Sequence, residues 1–140
     1  GLSFTMRRIS NGGTAGCDAV ITGRVSGPTG GSSGFPSGGL PFNKFQIGSG
    51  LKSFPLSTIT HVITHELGHT IGMRHSDFFN RAISCGGAAS NEGNGGVGAI
   101  LIPGTPSGAT VGGSVMNSCF RTVETGNFTA SDRTALQTLY

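Results

Sequence analysis

Apolar and polar positions follow two rhythms along this chain. The clearer one is helical. After Pro55, the residues Ile59, Val62, Ile63, Glu66, Leu67, Thr70 and Ile71 recur three and four apart, which is the spacing of one helix face. Ser57 or Thr58 is placed to accept from the orphan amides of the first turn. Gly72 is placed to end the helix. Upstream the rhythm is two-fold. Leu2, Phe4 and Met6 alternate with polar residues, so residues 2–9 read as a strand. Asn11-Gly12-Gly13-Thr14 is a turn signal, and residues 17–22 (CDAVIT) form a second short strand pattern. Residues 23–39 are rich in Gly, Ser and Pro and read as loop. Leu40 to Ile47 reads as a third strand, closed by Gly48-Ser49-Gly50; Pro41 near its start argues for a sheet edge. Residues 76–115 show little periodicity, and a connection of about forty residues in a small domain is usually functional. One short helical turn is expected within Phe78–Ile83. Near the end, Thr129-Ala130-Ser131-Asp132 is a capping-box variant, ahead of a helix carrying Ala135, Leu136, Leu139 and Tyr140. No repeat is present.

Composition changes this picture in one respect. Of 140 residues 26 are Gly, none is Trp, and only 11% are charged. One domain with a modest core is expected, with long loops restrained by something besides packing; a bound metal is one such restraint. The net charge of +3 is scattered, and Arg7-Arg8 is the only adjacent basic pair, so a nucleic-acid footprint is not expected. No apolar run is long enough to cross a membrane. The first residues do not form a signal peptide, and a start at Gly1 suggests a processed form or a cut-out fragment. The cysteines are Cys17, Cys85 and Cys119. They allow at most one intrachain disulfide and contain no C-x-x-C pair, which disfavours a cysteine zinc cluster.

The chemistry concentrates at the end of the long helix, in His65-Glu66-Leu67-Gly68-His69-Thr70-Ile71-Gly72-Met73-Arg74-His75. Residues four apart on a helix project from one face, so His65 and His69 can hold one zinc ion. Glu66 beside them is free to take a proton from water. Gly72 can turn the chain sharply, and His75 can then swing back as third ligand. Three protein ligands leave a coordination position open, as a catalytic site requires.

This H-E-x-x-H-x-x-G-x-x-H pattern resembles the metzincin metallopeptidases, and Ser114-Val115-Met116-Asn117 resembles their Met-turn, in which Met116 would pack beneath the ligands without binding metal. The segments 60–69, 102–106 and 128–133 are similar to the dual-action HEIGH metallopeptidases, a bacterial metzincin family; Leu67 stands where the name motif has Ile. The resemblance implies an α+β fold: a small, twisted, mostly parallel sheet with an edge strand over the cleft, an active-site helix, a C-terminal helix and long Gly-rich loops. Residues 1–140 would form one catalytic domain, with residues 1–75 as its upper part and 76–140 as its lower part. The N-terminal helix of such enzymes is not found in this sequence. The implied activity is zinc-dependent peptide-bond hydrolysis with Zn2+ held by His65, His69 and His75 and Glu66 as general base. The edge strand, with Phe45, Gln46 and Ile47, would bind substrate by strand addition, and the loop 76–113 would shape a side-chain pocket. A zinc-stabilised binding module or an inactive truncated fragment is the rival reading. Expected partners are protein or peptide substrates, for a monomer; secretion is implied by the family.

Other residues invite functional readings that the sequence does not favour. His61, four before His65, is read as a packing histidine because His75 completes the metal set better. Ser118 stands where some metzincins carry a metal-contacting Tyr, which removes a Tyr-assisted mechanism. Asp77 reads equally as a buried loop anchor or a solvated acid. Cys85 and Cys119 flank the long loop, and their pairing is preferred, leaving Cys17 free or paired with a segment outside this sequence. Residues 48–53 superficially resemble a phosphate loop, with the wrong spacing. Residues 91–94 (NEGN) read as surface loop rather than a calcium site.

Overall fold

A computed structural model of the chain describes residues 1–10, 12–96 and 98–140. The elements run β1 (Thr22–Val25), β2 (Gly31–Ser33), β3 (Lys44–Ile47), a 3₁₀ turn (Ser49–Ser53), α1 (Leu56–Thr70), α2 (Ala82–Cys85) and α3 (Ala130–Leu139). The architecture is α+β. One three-stranded sheet has the order β1-β3-β2, and α1 packs against β2 and β3.

The sheet is mixed rather than mostly parallel: β1 runs parallel to β3, and β2 runs antiparallel to it. This moves the edge. Phe45, Gln46 and Ile47 lie on the central strand, bonded on both sides, opposite Gly23, Arg24 and Val25 on one side and Ser33, Ser32 and Gly31 on the other. They cannot accept an added strand, because their ladder groups are already used. Pro41 is a misleading edge signal because it lies before the strand begins at Lys44, where no ladder bond is lost. The edge beside α1 is β2, a Gly-Ser-Ser segment inside what reads as loop.

The N-terminal expectations also shift. Residues 2–9 form no strand. Ser3 N–H donates to the Tyr140 carbonyl at 2.7 Å, and the Phe4 ring meets the Tyr140 ring edge-on at 4.9 Å, so this segment lies along the C-terminus. The strand expected at 17–22 begins at Thr22, whose N–H reaches the Asn43 carbonyl at 2.9 Å and starts the parallel pairing. Asn11 of the predicted turn lies outside the described residues.

Helix α1 starts directly after Pro55, with no side-chain cap. Proline fixes φ in the helical range and lacks the N–H that would otherwise be orphaned. Thr58 is buried instead of capping. The other end is a Schellman motif: Gly72 N–H bonds the His69 carbonyl at 3.0 Å, and Met73 N–H bonds the Gly68 carbonyl at 3.0 Å. That closure needs a left-handed residue, and Gly72 has φ of 102°. The expected helical turn at 78–83 forms slightly later, as α2. The core of Met73, Val115, Met116, Ala135 and Leu136 joins the end of α1, the 114–117 turn and α3. For α3 the capping box is formed reciprocally between Thr129 and Asp132.

The long connection is held by covalent and polar ties more than by apolar burial. Cys85 and Cys119 form a disulfide across a separation of 34 residues, and Cys17 is unpaired among the described residues. Beside the disulfide, Asp77 is fully buried. It accepts from Ser84 Oγ at 2.5 Å, Ser118 N at 2.9 Å and Ser118 Oγ at 2.7 Å. Burial opposes its ionisation, yet these bonds hold the carboxyl below its ordinary range, so the anchor reading is the one observed. Reducing the disulfide is expected to remove about 3–4 kcal/mol of stability, the loop-closure entropy for this separation. Urea denaturation with and without reductant measures it; a difference below about 1 kcal/mol would show that the polar ties alone fix the loop.

Candidate metal centre

Three imidazoles converge at the end of α1. His65, His69 and His75 present Nε2 atoms 3.1 Å (65 to 75), 3.1 Å (65 to 69) and 3.2 Å (69 to 75) apart. Each has its other nitrogen on an oxygen: His65 Nδ1 at 2.8 Å from the Val115 carbonyl, His69 Nδ1 at 2.7 Å from the Met73 carbonyl, and His75 Nδ1 at 2.6 Å from Glu92 Oε2. Carbonyl and carboxylate oxygens only accept, so each Nδ1 carries the proton and each neutral ring keeps a bare lone pair on Nε2. Three lone pairs facing one another cannot hydrogen-bond among themselves. They fit a cation between them. Burial, followed by repulsion from His69, brings His65 down to about 3, and burial brings His69 down to about 4. Both are therefore neutral near pH 7. Among the described residues these three form the one group of His, Cys, Asp or Glu side chains able to hold a metal ion.

The positions follow from local sequence. Helical spacing stacks His65 and His69. The Gly72 turn reverses the chain and fixes Met73, whose carbonyl takes the His69 proton and whose side chain enters the core. Beneath the helix lies Met116, only 1% exposed, with its Sδ 2.5 Å from where a Cβ on Gly68 would sit. A larger residue at position 68 would displace it. The next residue, Asn117, is 1% exposed and ties Gly112 N to Ser76 Oγ.

Glu66 faces the edge strand. A Cβ on Gly31 would overlap its carboxylate, so the strand backbone lies directly against it. The side chain is buried, and no group among the described residues bonds its Oε2. Burial raises its pKa to about 7. A buried carboxylate oxygen without a partner carries a desolvation cost, which a water or a substrate group can relieve.

His61 takes no part in the cluster. It is buried one turn earlier, with its ring 5.3 Å from that of Phe120 and its Nε2 3.9 Å from Glu124 Oε2. Burial lowers its pKa, partly opposed by the charges of Glu124 and Asp132. Two contributors do not stand out in the sequence. Glu92 belongs to the segment 91–94, which reads as surface loop, yet it is bonded to His75. Asp132 reads as a cap alone, yet it also holds the 114–117 turn. The one available signal for Glu92 is an acid in a Gly/Asn-rich stretch of a chain that has only six acidic residues.

Comparison with known proteins adds one finding. The family model described as dual-action HEIGH metallo-peptidase matches residues 1–140. No curated protein and no solved structure matches the chain.

Proposed function

Because the chain belongs to the dual-action HEIGH metallopeptidase family, we propose that it is a zinc endopeptidase with Glu66 as general base. The observation that carries this reading is the set of three Nε2 lone pairs, each Nδ1 already committed to an oxygen, beside an unsatisfied carboxylate. Nitrogens bound to one tetrahedral zinc at about 2.0–2.1 Å stand roughly 3.3–3.4 Å apart, and the observed separations of 3.1–3.2 Å are only slightly tighter than that. A divalent ion bound there acidifies water and polarises a carbonyl.

The protein's own residues then divide the work. His65, His69 and His75 hold the ion and leave one side open. Glu66 accepts a proton from the attacking water at its free carboxylate oxygen and returns it to the leaving amine. Met116 gives the ligands an apolar, close-packed base. The outer edge of β2, residues 31–33, is where an extended substrate backbone adds as a strand; its nearness to Glu66 favours it over the central strand. A mostly apolar cavity of about 450 Å³, lined by His75, Phe78, Ile100, Leu101, Ile102 and Ala135 among others, offers room for a substrate side chain beneath the long loop. The disulfide suits an oxidising compartment, which supports secretion.

The direct test is cleavage of an unstructured protein such as casein by the full chain, with its disulfide intact. Cleavage should stop on treatment with a chelator and return with added zinc. Hydrolysis that persists after complete metal removal would exclude the reading. Zinc binding without any cleavage would favour the binding module instead.

A further inference from the structure

The three histidines are not supported in the same way. His65 and His69 give their Nδ1 protons to backbone carbonyls of Val115 and Met73, both buried core residues. His75 lies beyond the helix, and its partner is a side chain 17 residues away, Glu92, at 2.6 Å. Such a contact holds only if the loop carrying Glu92 is itself fixed.

Arg74 fixes it. Its Nη1 donates to the carbonyls of Asn94 at 2.6 Å and Gly98 at 2.7 Å. Its Nη2 donates to the Gly93 carbonyl at 3.0 Å and to Glu92 Oε1 at 3.1 Å. The guanidinium carbon also lies 5.5 Å from the ring centres of both Phe35 and Phe78, which adds cation–π attraction. The loop backbone is pinned from the other side, where Glu92 N–H meets the Phe78 carbonyl at 2.8 Å and Arg81 N–H meets the Ser90 carbonyl at 2.8 Å. Glu92 thus divides its oxygens, Oε1 to Arg74 and Oε2 to His75.

Glu92 is not a fourth ligand. It occupies the Nδ1 side of the ring, and Nδ1 and Nε2 point to opposite sides of an imidazole. A carboxylate behind a ligating histidine fixes its tautomer, aims its ring and raises its basicity. We propose that Glu92, held by Arg74, is the positioning residue for His75, so that docking of residues 92–94 and 98 onto Arg74 sets the metal affinity of the whole centre. This rests on the metal-centre reading above. It also accounts for the make-up of the Gly/Asn-rich loop, whose bare carbonyls at 93, 94 and 98 gather round one guanidinium.

The test compares the parent with Glu92→Gln and Glu92→Ala, using zinc alone as probe in competition with a chromophoric chelator. It follows the His75 ring nitrogens of the metal-free proteins by ¹⁵N NMR, because zinc on Nε2 would itself fix the tautomer. Alanine removes the acceptor and should weaken zinc about 10–100-fold, with the His75 Nδ1–H tautomer no longer enforced. Glutamine keeps one acceptor oxygen of the same reach for His75, but gives up the charge and the bond to Arg74, because its amide nitrogen only donates. It should restore the tautomer and recover part of the affinity. A role confined to loop stability would leave the tautomer unchanged in folded Glu92→Ala and give no graded rescue. Parent-like affinity in both variants, or an unchanged His75 tautomer in Glu92→Ala, would overturn the proposal. A parent protein that takes up no zinc would overturn the functional reading, and this inference with it.

Discussion

Replacing Glu66 by Gln is expected to lower the rate of peptide cleavage by about 10²–10⁴-fold, the usual share of a general base, while one zinc ion stays bound. The side chain is nearly isosteric, and the proposed ligands are His65, His69 and His75, so binding and chemistry separate. Metal content and kcat/KM, measured on the same preparation, check this. A variant that binds zinc and cleaves at the parental rate would remove Glu66 from the mechanism. The pH dependence follows the same group. Burial places its pKa at about 7 without metal, and a cation nearby favours the charged form and draws it lower. Only the carboxylate can accept a proton, so kcat/KM should fall as pH drops below 7, and Glu66→Gln should lose that limb.

The same carboxyl affects stability in the opposite sense. Its folded pKa of about 7 is raised from an ordinary value of 4.5, so the folded state binds its proton more tightly. The stability this brings is present below pH 4.5 and is lost as pH rises through 7. Metal-free Glu66→Gln should therefore melt above the metal-free parent at pH 8, and the gap should close near pH 5. His65 and His69 act in reverse: with folded values of about 3 and about 4 against 6.5, they stabilise above pH 6.5 and lose that contribution as pH falls through 4. They are common to both proteins and cancel in the comparison.

The metal motif is legible in the sequence because its geometry is local. Helical spacing sets His65 over His69, and a Schellman closure at Gly72 delivers His75, all within eleven residues. The capping box at Thr129 is equally local. The sheet is not legible in this way. Its strands are three or four residues long, too short to show a two-fold rhythm, and the edge strand Gly31-Ser32-Ser33 has the composition of a turn. Alternation in residues 2–9 is real but has no partner strand. Glu92 and Asp132 are hidden for another reason. Their roles depend on contacts across long separations, 17 residues from Glu92 to His75 and 17 from Asp132 to Val115, and no local rule reaches that far.

Asp132 carries the largest expected effect on folding. It is 1% exposed and accepts from Ser114 Oγ at 2.5 Å, Val115 N at 3.0 Å, Thr129 N at 2.8 Å and Thr129 Oγ1 at 2.9 Å. It therefore joins the start of α3 to the 114–117 turn, and the Val115 carbonyl of that turn is the group that orients His65. Asp132→Ala leaves the buried Val115 amide and the amide at the helix start unpaired. Each unpaired donor costs about 1–3 kcal/mol, the Thr129 amide being the cap bond itself. A total of about 2–6 kcal/mol is expected by urea denaturation of the oxidised, metal-free protein. Thr129→Ala is the control, because it breaks the capping box but leaves Asp132 on Ser114 and Val115, and it should cost only about 1 kcal/mol. If Asp132 also sets the 114–117 turn for His65, zinc affinity should fall in Asp132→Ala at temperatures where the protein is folded, and hold in Thr129→Ala. Equal losses of stability in the two variants would reduce Asp132 to a helix cap, and the support for His65 would have to come from the packing of Val115 and Met116 alone.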